Sequence, residues 1–146
     1  MRNRLWRAAV VAVAVVAAGC SGVPGGAEGD LSRAADTAAS SAEAVRMGLA
    51  LDVGQRTTRN HAATLVSDSL EEVLTAHGTV ATLETATASE AAHRDALLAH
   101  LDEVITVFGR TREHVYNVPG APDAATLDGA LGDLADTLER FGEGER

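Results

Sequence analysis

Between residues 30 and 141 the apolar positions recur at alternating steps of three and four, the spacing that gathers them on one face of an α-helix. In the first stretch the stripe is Leu31, Ala35, Ala38, Ala42, Val45 and Leu49. Asp30 or Ser32 is placed to cap its start, and Gly54 to end or kink it near residue 53. A second helix is expected over residues 57–77, with Val66, Leu70 and Val73 inward, Leu65, Ser69 and Leu74 beside them, and Gly78 as its stop. The third is the longest, over residues 79–117. Its second half keeps the step through Leu97, Leu101, Val104, Phe108, Thr111, Val115 and Val118 without a slip. Its first half is rich in Ala and Thr, so its apolar face is thin, and Gly109 is a candidate bend.

The run Val118-Pro119-Gly120-Ala121-Pro122 cannot continue a helix, because each proline lacks the backbone donor and crowds the residue before it. Asp123 follows as the cap of a last helix through about residue 141, with Leu127, Leu131, Leu134, Leu138 and Phe141 inward. No alternation of strand period interrupts this pattern. The expected fold is therefore all-α, an antiparallel bundle of three to four helices over residues 30–146. The number turns on Gly54: without a reversal there, the first two helices fuse into one rod. The core would be built from Ala, Val and Leu, with Phe108, Tyr116 and Phe141 the only aromatic residues after Trp6. Ala-rich faces let helices approach closely but bury little area each, so modest stability or self-association is expected.

The chain before the bundle follows a different logic. Arg2, Arg4 and Arg7 precede an unbroken Ala/Val run from Ala8 to Ala18, the order of a secretory signal. That run reaches only about 16 Å as a helix, short of the roughly 20 apolar residues that span a bilayer. Residues 20–29 hold four glycines and a proline and read as a flexible tether. At the junction stands Ala17-Ala18-Gly19-Cys20, and Cys20 is the chain's only cysteine.

This junction resembles the lipobox of bacterial lipoproteins, with Ala17 where that family more often has Leu. The resemblance covers residues 1–20. It implies that residues 1–19 are a signal peptide, that cleavage falls between Gly19 and Cys20, and that the Cys20 sulfur receives a diacylglyceryl group. The mature chain would then be anchored on the outer face of the cytoplasmic membrane, since two acyl chains hold stably where one is marginal. All twelve basic residues are Arg, and Ile occurs once, at position 105. This is the usage of a GC-rich genome and fits an actinobacterial lipoprotein.

Loss of residues 1–19 removes three Arg and leaves nine basic against 21 acidic residues, a formal charge of −12. Such a surface argues against nucleic acid as a partner and against lying flat on anionic lipid. Candidate chemistry is sparse. One cysteine excludes thiolate metal sites and redox pairs, and no serine or threonine stands in a nucleophile elbow. Glu90 and His93 have the Glu-x-x-His spacing of di-iron bundles. A hairpin about Gly78 would pair residues whose numbers sum to about 156, bringing His61 toward them. That family needs a second such motif, which this sequence lacks, and a structural or pH-responsive role for the histidines is the expectation. No catalytic residue, cofactor or metal ligand is therefore expected. Three functions stay open: an interaction or scaffold module meeting an envelope protein through an Ala-rich face, a ligand- or metal-responsive sensor, and an enzyme. The first is the expectation.

Overall fold

The computed structural model describes residues 26–144; Gly19, Cys20 and most of the expected tether lie outside them. Four helices follow one another: α1 (Ala27–Val53), α2 (Arg59–Ala81), α3 (Ala88–Val115) and α4 (Ala124–Gly144). Successive helices run antiparallel and close into a bundle, so the fold is all-α as the periodicity predicts. α1 touches the other three helices, α3 does the same, and α2 and α4 do not meet. The cross-section is thus a flattened rhomb with α1 and α3 on its short diagonal.

Side-chain size explains why α1 takes a central place. Ala35, Ala38 and Ala42 are fully buried, and Ser32, Ser41 and Gly48 join them on a surface too wide for one neighbour. At Gly48 the approach of α2 is close: the Leu65 methyl lies 2.6 Å from where a Cβ would stand. The bulk is supplied from opposite, where Leu97, Leu101, Val104 and Phe108 of α3 and Leu131 and Leu138 of α4 are fully buried. Every inward position expected in α1 is buried, as are Leu127, Leu131, Leu134 and Leu138 in α4. Leu74 is half exposed, because α2 has neighbours only in α1 and α3.

The ends of the helices depart from the sequence reading in instructive ways. α1 starts at Ala27, upstream of Asp30, with Gly26 as an N-cap that offers no side chain. Ser32, the other candidate cap, instead donates to the Gly142 carbonyl of α4 at 3.1 Å. The chain does reverse at Gly54, but Gln55 takes the left-handed backbone, at φ 54°. Gln55 N–H bonds the Asp52 carbonyl and Arg56 N–H the Leu51 carbonyl, the pair of bonds that closes a helix in the Schellman manner. The end of α3 repeats the device, with Asn117 left-handed at φ 52° and Val118 N–H on the Glu113 carbonyl.

Gly78 does not stop the second helix, which runs through it to Ala81. Burial of Val80 against the core outweighs a glycine penalty of about 1 kcal/mol. The third helix accordingly begins at Ala88 and not at Thr79, behind a connector over residues 82–87. A capping box fixes that start: Glu90 N–H donates to Thr87 Oγ1 at 3.1 Å, and Glu90 Oε2 accepts from Thr87 N–H at 3.0 Å. The thin Ala/Thr half of the expected helix is thus divided among the end of α2, the connector and the start of α3. Gly109 sits within an unbroken α3.

Candidate functional site

The small side chains that draw α1 inward also leave a groove on its outer side. α1 and α2 pack tightly at Gly48 and Leu65, and Ser41 Oγ donates to Glu72 Oε2 at 3.0 Å. From there toward the start of α1 runs a groove of about 750 Å³. On α1 it is lined by Asp30, Arg33, Ala34 and Thr37. On α2 the lining is Asp68, Glu71, Glu72, Thr75, Ala76 and Thr79, again a three–four spacing and so one helical face. Ala34 is buried and Ala76 half-buried, whereas Asp68, Glu71, Glu72 and Thr75 are exposed. The groove thus has a base of methyl groups and an acidic rim. Its single cation, Arg33, is paired with Asp30, and Glu72 is engaged by Ser41.

The main alanine stripe of α1 is not part of this groove. Ala35, Ala38, Ala39 and Ala42 are covered by the chain's own helices and belong to the main core. What is open on α1 lies on its other side, and the register of α1 against α2 creates it.

The histidines are distributed, not gathered. His93 Nδ1 stands 3.5 Å from Glu28 Oε2, joining α3 to the first turn of α1. The rings of His93 and His100 both meet Phe141 edge-on, with centroids at 6.4 Å, which adds α4 to the same end of the bundle. His77 Nε2 lies 3.1 Å from Asp102 Oδ1 and links α2 to α3. His114 Nδ1 is 2.8 Å from the Pro122 carbonyl; a carbonyl only accepts, so this nitrogen carries the proton.

His61, Glu90 and His93 do not meet. His77 lies against Asp102, where the expected hairpin register would have set it beside residue 79. With the connector at 82–87, the start of α2 packs instead against the end of α3, Ala62 and Ala63 with Val115. His61 is therefore separated from His93 by about 33 Å of helix at 1.5 Å per residue. Glu90 is occupied as the α3 cap. Among the described residues no group of three or more His, Cys, Asp or Glu is placed to share an ion.

Two charged groups outside the groove are held by the fold. Asp123 caps α4, and its carboxylate accepts the Thr126 backbone N–H at 2.8 Å; the bonds from Thr126 hold its pKa below the ordinary carboxylate value. Arg46 crosses from α1 to α4, with Nε 2.8 Å from Asp128 Oδ1; this hydrogen bond and charge raise the guanidinium pKa further. Both serve the bundle's geometry. Comparison with family models, with curated proteins and with solved structures found no match to this chain.

Proposed function

We infer that this chain is an envelope lipoprotein, cut before Cys20, anchored by lipid on the outer face of the cytoplasmic membrane, and acting through contacts of its helical bundle. The observation that carries the address is Ala17-Ala18-Gly19-Cys20 behind three arginines and an apolar run too short to span a bilayer. Among the described residues no helix is long and apolar enough to cross a membrane, so in this reading attachment falls to the lipid. α1 begins at Ala27, and the residues from Cys20 reach at most about 25 Å when extended. The bundle would then stand close to the membrane with the Glu28, His93 and Phe141 end nearest to it. The open groove beside α1 supports action by contact.

The test compares intact mass and membrane partitioning of the protein made in a bacterial host with those of Cys20→Ala. The expected result is a diacylglyceryl mass on Cys20 and retention in the membrane fraction, both lost in the variant. Release of both proteins unmodified overturns the address and makes the chain a secreted bundle.

A further inference from the structure

We propose that the groove between α1 and α2 docks a cationic amphipathic helix from a partner protein, its small apolar stripe on Ala34 and Ala76 and its Arg or Lys flanks on Asp68 and Glu71. This occupant rests on reading the bundle as an interaction module.

Shape gives the first part of the case. The α2 wall from Asp68 to Thr79 is one unbroken stretch of helix about 16 Å long at 1.5 Å per residue, three turns. The less exposed lining residues are the small Ala34 and Ala76, so a docked helix can come near the usual interaxial distance of 8–10 Å provided its own stripe is small.

Charge gives the second part and selects the occupant. Four carboxylates line the groove against one guanidinium. Asp30 is engaged by Arg33 and Glu72 by Ser41, while Asp68 and Glu71 have no side-chain partner among the described residues. Their spacing puts both on one helical face, directed at whatever lies in the groove. Anionic lipid is repelled by such a rim. A second copy is disfavoured as well, because each mature chain carries a formal charge of −12. A helix with cations flanking a small apolar stripe satisfies the base and the rim together.

The probe is a fluorescein-labelled amphipathic peptide of about 15 residues built from Ala, Leu and Arg, long enough to cover three turns. Its binding to the full chain purified in detergent is read by fluorescence anisotropy. Saturable binding is expected, with Kd raised at least about tenfold by Asp68→Arg with Glu71→Arg. Thr75→Trp, which fills the groove at an exposed position without altering charge, is expected to weaken binding similarly. Asp133→Arg with Asp136→Arg on the outer side of α4 makes the same change in net charge and is expected to leave Kd unchanged.

Equal weakening by the α4 pair reduces the interaction to general attraction and overturns the proposal, as does no binding. An oligomer of the wild type that dissociates on Glu71→Arg would seat a second copy in the groove and overturn it too. The address is judged separately, by the partitioning of Cys20→Ala. An anchored protein that ignores the peptide loses this occupant alone, and a peptide-binding protein that is not anchored loses the address alone.

Discussion

Gln55 holds a backbone conformation that costs an L-residue about 1–2 kcal/mol and glycine nothing. The sequence offers glycine one position too early, at Gly54, which has φ −74° and needs no freedom. Gln55→Gly is therefore expected to stabilise the bundle by about 1 kcal/mol, read as a higher urea midpoint at unchanged slope. An unchanged or lower midpoint would show that the turn is not strained there. Asp123 makes a prediction in pH. Its folded pKa is lowered, so its contribution is complete above the unfolded value of about 4 and is lost as pH falls from there through the folded value. Asp123→Ala is expected to lower the melting temperature by a few degrees at pH 7, a difference from wild type that shrinks on acidification below pH 4. A difference that stays constant with pH would exclude the carboxylate as its source. Asp123 was readable as a cap because two prolines and a glycine isolate it from the preceding helix. Ser32 misled because a hydroxyl near a helix start can serve a neighbouring helix equally well.

At the scale of elements, the periodicity reports which faces are buried, whereas glycine marks a helix end at Gly54 and not at Gly78 or Gly109. Gly78 and Gly109 both lie inside helices, since tertiary burial of Val80 and Phe108 exceeds what one glycine costs. The true start of α3 is written in Thr87-Ala88-Ser89-Glu90, a capping-box signature that the expected helix start at Thr79 passes over. A hairpin placed at Gly78 and not at residues 82–87 displaces the α2–α3 register, and with it the meeting of His61 and His93. Thr87→Ala is expected to cost about 1 kcal/mol and to fray the first turn of α3, visible as faster amide exchange at residues 88–91. Thr87→Ser should retain most of that stability. Equal losses in both variants would move the cause from the cap to packing of the threonine methyl. The groove was not legible at all, because it depends on the register of α1 against α2, which Gly48 and Leu65 determine and no single-helix pattern reports.

Across the whole molecule, unequal helix contacts imply unequal local stability. α1 and α3 share the short diagonal, and each is covered by three neighbours, so their central amides can exchange only when the bundle opens as a unit. α2 is covered by two, and along its last turns one flank faces the groove. That same stretch contains the exposed Gly78, Thr79 and Ala81, with Val80 alone buried to hold it. The end of α2 is thus the part most able to open while the rest stays folded. Hydrogen exchange followed by mass spectrometry is expected to show residues 76–81 exchanging at least about tenfold faster than residues 38–49 and 97–108. Protection of the end of α2 equal to that of central α1 would mean that the bundle unfolds in one step despite its lopsided contacts. If the asymmetry holds, it bears on docking, because a helix lying in the groove would add a third neighbour to α2 just where it lacks one. Adding the Ala/Leu/Arg peptide should then slow exchange over residues 71–81 and leave α4 unchanged, tying the unstable flank of the bundle to the surface it presents.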